Sequence, residues 1–533
     1  MVPRLECRPP RGVLSSDLVS TDPDLIAAVL EDAAHYPDGR ASGVAAPRSE
    51  TDVAEVLRRS RTVLPIGAQS SLTGGATPRD DVVIRTDRLT SIRDVRRDRV
   101  RVQAGVSLAD LDAALRSRGA AYPPVPTFAG AFVGGVVATN AAGPATFKYG
   151  TTRDWVTALT VVLADGSVVD IERGAVHAEN GHLELVRVGG DSVRVPIPTY
   201  VLPAVPKRSA GYAAGPDLDA IDLFIGSEGT LGIVTEVTLR VLPEAPARCL
   251  ALVPCRSEAT ALDLVSRLRE TARRTWAERD ARGIDVCAIE QMDRRSVSLL
   301  REDGADVRFG APLPGWTDTL LLMHLDLDPA TTREGAFEQI AGALDEDSDG
   351  PLVRLCRLLH EFGVLDETHV APPGDVQRAE QLFAVREAVP AAVNRRVGLA
   401  KARVDSRITK TAADMVVPFE RFGAMLERYR ARLEARGLDY AIWGHSSDGN
   451  VHPNVIPRSY ADVEAGREAI LEWGRDVAEL GGCPLAEHGV GRNAIKQQLL
   501  RQLYGERGLD EMRAVKRALD PEWKLAPGVI FPK

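Results

Sequence analysis

"PIGAQSSLTGGATP", residues 65–78, decides how the first half of the chain is read. It follows "TVLPIG", an apolar run that reads as a short buried strand, and it precedes "RDDVVIRT", which reads as another. Gly67, Gly74 and Gly75 permit backbone angles that residues with a Cβ resist. Gln69, Ser70, Ser71 and Thr73 add small polar groups. A strand end followed by a run of free N–H groups can cradle a pyrophosphate. The stretch is not a P-loop, because the Gly-Lys-Ser/Thr ending is absent. It is not a Rossmann fingerprint either, because the glycine spacing fails and a strand rather than a helix comes next. By itself it is equally well an ordinary Gly/Ser turn.

Composition bounds what the loop can belong to. The 533 residues are too many for one core, and length suggests two to four domains. A hydrophobic fraction of 44%, a charged fraction of 26% and a formal charge of -9 describe an ordinary globular protein. No block of like charge points to a nucleic-acid partner. Six cysteines (7, 249, 255, 287, 356 and 483) are scattered without a C-x-x-C pair. That argues against a disulfide framework, an iron–sulfur cluster and a Cys-rich zinc site, and fits a reducing, cytoplasmic setting. The N-terminus "MVPRLECRPPRGV" lacks the apolar run of a signal peptide. The most apolar stretch, "AGAFVGGVVATNAAG" (129–143), is shorter than the about 20 residues a spanning helix needs. No transmembrane segment is expected; a membrane-peripheral location stays open.

Along the chain, "APRSETDVAEVLRRS" reads as a capped helix, "RVRVQAGV" as a strand and "SLADLDAALRSRG" as a helix closed by Gly119. After "VTLRVLPEAP" the texture changes. Strands such as "CLALVPC" and "TLLLMHLDL" alternate with amphipathic helices such as "EATALDLVSRLRETARR" and "AEQLFAVREAVPAAVNRR", the pattern of an α+β domain. The last fifty residues read as a loop, "GGCPLAEHGVGR", and two helices, "NAIKQQLLRQLYG" and "LDEMRAVKRALDP".

"WGHSSDGNVHPNV", residues 443–455, holds two of the nine histidines. If Asp448-Gly449 forms a two-residue hairpin turn, His445 faces His452 and Ser447 faces Asn450. Opposed Cβ atoms lie about 4.5–5.5 Å apart, so the two imidazoles could share one metal, and Asn454 would lie on the same face. A pair of surface histidines is the plain alternative. "AEHGVGR" could add a ligand through Glu487-His488; the alternative there is a helix-leading glutamate beside a solvated histidine.

Further stretches narrow these readings. "VQAGVSLADLDAAL" (102–115), "PTFAGAFVGGVVATNAAGPATFKYGTTRDWV" (126–156), "VVLADGSVV" (161–169) and "LFIGSEGTLGIVTEVTLRVLP" (223–243) join the 65–78 loop in a set. In order and wording the set resembles the FAD-linked oxidase family, with the vanillyl-alcohol oxidase or p-cresol methylhydroxylase fold, over residues 42–244. The resemblance implies an α+β protein in four stretches. These are an N-terminal segment (1–41), a two-part FAD-binding domain (42–244), an α+β cap domain with an antiparallel sheet and flanking helices (245–480), and a C-terminal segment (481–533) that returns to the FAD domain. It implies that Gly67, Ala68, Gln69, Ser70, Ser71, Leu72 and Thr73 wrap the pyrophosphate. Pro126, Thr127, Gly130, Gly134, Gly135, Thr139 and Asn140 would lie along the flavin and ribityl chain. Glu228, Gly232, Ile233 and Val234 would line the adenosine and diphosphate end. Relatives often carry G-G-G-T where this chain has Gly67-Ala68-Gln69-Ser70, a change that spares backbone donors. No histidine lies in 65–78 to tether a flavin, so the FAD is expected to be non-covalent.

"GHSSDGNVHPNV" and "AEHGVGR" resemble motifs of the family's D-2-hydroxyacid branch, which includes D-lactate and D-2-hydroxyglutarate dehydrogenases and the glycolate oxidase flavoprotein subunit. This implies that His445, His452 and Glu487 bind a divalent metal, zinc being expected. It also implies that His488 is the base and that Asn454 touches substrate. "LFAVREAVP" resembles the family's Arg-Glu helix, which makes Arg386 the clamp for a substrate carboxylate; a solvated helix arginine is the alternative. Two positions depart from the pattern. Ala412 stands where relatives carry a lysine, with Lys410 two residues earlier, about 6.6 Å along a strand. Pro390 stands where relatives can carry a hydroxyl. The expected reaction is oxidation of a small or medium D-2-hydroxy acid to the 2-oxo acid by hydride transfer to flavin N5. An external acceptor would follow: a quinone, cytochrome, flavoprotein or iron–sulfur subunit. A homodimer is compatible with this. The rival readings are a non-redox transferase of the alkylglycerone-phosphate synthase type and a non-catalytic flavin electron-transfer subunit.

Overall fold

The computed structural model describes residues 4–532. The chain divides into two units, one built from Met1–Gly143, Gly150–Pro243 and Cys483–Lys533, the other from Pro144–Tyr149 and Glu244–Gly482. Two departures from the expected boundaries stand out. Residues 1–41 were expected as a separate segment, yet Leu5–Arg8 is an interior strand of the first unit, between His182–Val186 and Val168–Glu172. The short helix Thr146–Tyr149, expected inside the FAD-binding domain, belongs to the second unit, where Lys148 pairs with Asp285 and Asp326 at 2.7 and 2.8 Å.

The first unit holds two sheets. Eight strands run in the spatial order Ser192–Pro196, His182–Val186, Leu5–Arg8, Val168–Glu172, Val156–Val162, Ile233–Arg240, Arg99–Gln103 and Ile92–Val95. Four more run Val19–Ser20, Arg40–Ala45, Arg79–Arg85 and Val63–Ile66, with the last three parallel. The helix Glu50–Arg59 starts where Ser49 Oγ accepts the Asp52 N–H, and it buries Val53, Val56 and Leu57, the apolar positions of the sequence pattern. The C-terminal segment closes on this unit: Val63 N–H donates to Lys524 O and Ala526 N–H to Val63 O.

The second unit is an eight-stranded antiparallel sheet with helices on both faces, as expected of the cap. Leu250, Leu252, Leu320 and Leu322 pack with Leu382, Val385 and Val389 of the helix Val376–Arg403. Their strand neighbours Ala251, Val253, Leu321 and Met323 pack with Leu264 and Leu268 of Glu258–Glu278. Burial on both faces explains why "CLALVPC" and "TLLLMHLDL" show no polar alternation. Among the described residues no helix is long and apolar enough to cross a membrane.

The histidine hairpin forms in another register than expected. Strands Tyr440–His445 and Asn450–Val455 pair with His445 opposite Asn450 and His452 opposite Trp443. The turn is a 3-10 stretch, Ser446–Asp448, closed by Gly449, not a two-residue loop. Its serines are claimed by the neighbouring strand: Ser447 Oγ accepts the Ile289 N–H and Ser446 Oγ donates to the Ile289 carbonyl. The slip is two residues, and strand side chains alternate with a period of two, so both histidines stay on one face. Their ring centroids are 5.7 Å apart.

Gly449 makes this turn possible. It sits at φ +74°, and a Cβ there would come within 2.3 Å of the Val417 carbonyl oxygen. Gly449→Ala is therefore expected to cost more than the about 1–2 kcal/mol of the left-handed backbone alone. Thermal unfolding should fall by several degrees; an unchanged melting temperature would show that the turn is not held as described.

Candidate functional site

In the second unit a buried polar cluster interrupts the apolar sheet. Nδ1 of His452 lies 3.6 Å from Asp414 Oδ1, and Nδ1 of His445 lies 3.8 Å from Glu290 Oε2. These exceed hydrogen-bond length and set a buried carboxylate beside each ring. A carboxylate behind Nδ1 is the arrangement that presents Nε2 to a metal, so the donor set and its surroundings fit a divalent ion. Asn450 Nδ2 donates to Asp414 Oδ1 and the Met415 carbonyl, which braces that carboxylate. Asn454, 1% exposed, donates to the His452 carbonyl, while its Oδ1 has no protein donor among the described residues. A buried acceptor left open fits the expected substrate contact.

Arg386 is no solvated arginine. It is 8% exposed, its Nε donates to Glu290 Oε2 at 2.5 Å, and its Nη1 donates to Glu387 at 2.6 Å. Burial by itself would raise the Glu290 carboxyl pKa; the Arg386 charge, with His324 and His445 beside it, prevails and holds it well below the usual carboxylate range. Pro390 lies inside the same helix and has no N–H for the Arg386 carbonyl one turn back. Lys410 corrects the strand expectation: the strand is only Thr411–Ala412, and Lys410 sits just before it. By surface area its side chain is exposed, yet the chain packed around it thins the water near the ammonium and lowers its pKa. Its exposed ammonium can reach a solute.

In the first unit the 483–493 loop carries Glu487 and His488. Lys207, fully buried, donates to Glu487 Oε1 at 2.5 Å, and Ser209 Oγ donates to the Glu487 carbonyl. The next residues are held by Glu228, whose carboxylate accepts the N–H groups of Val490 and Gly491, each at 2.8 Å. Arg492 N–H then donates to the carbonyl of Thr73. Glu228, expected at the adenosine end of the cofactor, thus spends its charge on the loop that follows His488.

The glycine loops divide by what they leave open. Among the described residues no protein acceptor takes the amide hydrogens of Gly67, Ala68, Gln69, Ser70, Ser71 or Leu72, whereas Thr73 N–H reaches Ser71 Oγ. The Gln69 side chain donates to the carbonyls of Val29, Glu31 and Ala76, so it shapes the loop from behind. A Cβ at Gly135 would meet nothing within 4 Å. At Gly134 it would strike Ala104 and at Gly232 Val161, so those two glycines serve packing. Thr139 Oγ1 donates to Gly135 O, and the Asn140 amide is used between Arg208 O and Arg153 N–H. Ile233 is buried in its strand, and Val234 pairs with Val161 across the sheet. Pro126 and Gly130 are partly buried and Thr127 is exposed. Free backbone donors at 67–72 and an open glycine at 135 fit a flat, pyrophosphate-bearing cofactor.

Residues 246–530 match the family described as FAD linked oxidases, C-terminal domain, and residues 41–172 match the FAD binding domain. The chain belongs to the FAD-linked oxidase family. The GlcD subunit of glycolate oxidase from Bacillus subtilis is 28% identical to this oxidase, over 92% of this chain and 89% of that protein. A D-lactate dehydrogenase from Archaeoglobus fulgidus is 26% identical over 92% and 91%. In fold it is similar to a solved alkyldihydroxyacetonephosphate synthase, at TM-score 0.58 and 14% identity, covering 97% of this chain and 85% of that one. At that identity the likeness shows the fold alone.

Glu290, His324 and Lys207 escaped the sequence reading. A charge inside "VCAIEQM" and a lysine in "VPKRS" were the available signals, but neither names its partner. Glu228 makes a testable contribution. Burial pushes its pKa up to about 7, past the lowering by its two backbone donors. A carboxyl raised in the folded state binds more protons there than in the unfolded chain. Its contribution therefore falls as pH rises from its ordinary value of 4.5 to about 7. Glu228→Gln should flatten stability against pH in that window, by up to about 1.4 kcal/mol per pH unit. Chemical denaturation at a series of pH values checks this; parallel curves would contradict it.

Proposed function

We propose that this FAD-linked oxidase is a dehydrogenase of a D-2-hydroxy acid of the lactate, glycolate or 2-hydroxyglutarate kind, with His445, His452 and Glu487 as ligands of a divalent metal. The observation that carries the proposal is the pair of one-faced histidines, each backed by a buried carboxylate at Nδ1. Two imidazoles and a carboxylate form a zinc donor set that leaves a position open for substrate. The names of the relatives, a glycolate oxidase subunit and a D-lactate dehydrogenase, support the substrate class.

Bound FAD supplies the acceptor for the two electrons of the Cα–H bond, and a bound metal supplies positive charge beside the substrate hydroxyl. The chain does the rest. His488 takes the hydroxyl proton as general base. Arg386 holds the carboxylate through its Nη edge, in competition with Glu387, and so fixes the direction of Cα–H. Asn454 Oδ1 contacts the substrate, and Lys410 offers a second cation. The departures at Ala412 and Pro390 fall in this substrate-handling group. An external electron acceptor then restores the oxidised flavin.

The test is anaerobic. Metal-replete protein mixed with D-lactate, glycolate or D-2-hydroxyglutarate should lose its visible flavin band with at least one acid. A flavin that stays oxidised with all of them overturns the proposal. His488→Ala should slow the bleaching about 10²–10⁴-fold while the flavin content is unchanged. His445→Ala and His452→Ala should abolish stoichiometric zinc, measured by elemental analysis. Chelation of the wild type should stop bleaching, and added zinc should restore it.

A further inference from the structure

Within the cap unit one carboxylate touches two of the groups just given separate tasks. Glu290 is 3% exposed and lies on the strand Val286–Met292, where it pairs in register with His445 of the adjoining strand. Its Oε2 accepts from Arg386 Nε at 2.5 Å, and the same oxygen is 3.8 Å from His445 Nδ1. Its other oxygen is 3.6 Å from His324 Nε2. Glu290, His324 and His445 are all buried, so these contacts lie away from bulk solvent.

The partners of Arg386 differ in kind. Glu290 is buried and fixed by the sheet, and it occupies the Nε edge of the guanidinium. Glu387 is 49% exposed in its side chain and reaches Nη1 from the helix surface. An incoming carboxylate can displace the exposed partner and cannot displace the buried one. The planar guanidinium is thus set by Glu290 and presented by its Nη edge.

We propose that Glu290 is a positioning residue that aligns two functional groups at once, the Arg386 guanidinium for the substrate carboxylate and the His445 imidazole for the metal. This rests on the ligand and clamp assignments of the proposed function. Glu290 itself touches neither substrate nor metal; it acts by holding the rotamer of Arg386 and by setting its negative charge 3.8 Å behind the Nδ1 side of the His445 ring. One consequence is that loss of its charge changes substrate affinity and metal affinity together, although the two belong to different elements.

The experiment compares flavin-loaded wild type, Glu290→Gln, Glu290→Asp and His445→Ala. Zinc affinity is read by competition with a chromophoric chelator, and KM and kcat are read with the acid that bleaches the wild type. Glu290→Gln should weaken zinc about 10- to 100-fold and raise KM by a similar factor, with the flavin-to-protein ratio unchanged. Glu290→Asp should recover part of both. Wild-type zinc affinity and wild-type KM in Glu290→Gln overturn the inference and leave the proposed function intact. A wild type that binds zinc no better than His445→Ala overturns the metal assignment and the inference with it. If Glu290→Gln yields no folded flavoprotein, the double variant Glu290→Gln/Arg386→Met removes both buried charges, and its zinc affinity is read instead. Weakened zinc there supports the inference, and wild-type affinity overturns it.

Discussion

A carboxylate cut off from water has to be matched by charge, and the match between Glu290 and Arg386 constrains the cap unit around it. Leaving either partner of such a pair alone in the interior costs about 3–5 kcal/mol. The pair therefore ties the helix Val376–Arg403 to the strand Val286–Met292. Packing of Leu382, Val385 and Val389 on the same face reinforces the arrangement, but apolar contacts alone would tolerate small slides that a charged pair does not.

The first unit uses the same device. The loop with Glu487 and His488 has little secondary structure of its own, and is fixed by buried polar contacts. Lys207 holds Glu487, Glu228 holds the amides of Val490 and Gly491, and the Arg492 guanidinium reaches Asp81 at 3.2 Å. A loop held in this way can present side chains as firmly as a helix, and its polar contacts replace the ladder it lacks.

The sequence was legible where local physics decides. Ser49 and Ser107 cap the helices their spacing predicts, and Gly505, at φ 67°, separates the two C-terminal helices read from the pattern. The family motifs led to the cofactor and to the histidines. What escaped was set by tertiary partners. The Asp-Gly turn was expected to be two residues long, but Ser446 and Ser447 bond to Ile289, 157 and 158 positions earlier, and the turn lengthens. The histidine pair survived that error only because the slip was even. Likewise Glu290 and Lys207 are visible as charges in apolar surroundings, but only the fold shows which cation and which carboxylate meet them. Pro390 read as a departure from a motif; in three dimensions it is also the point where the helix leaves the Arg386 carbonyl without its usual donor.

On the proposed function, the carboxylates behind Nδ1 prepare His445 and His452 to bind a metal through Nε2. Anomalous diffraction at the zinc edge from crystals of the metal-replete protein tests it most directly. A peak about 2.0–2.1 Å from Nε2 of both histidines, with Glu487 completing the set, is the result expected. Coordination through Nδ1, or no peak at these rings, would contradict the account.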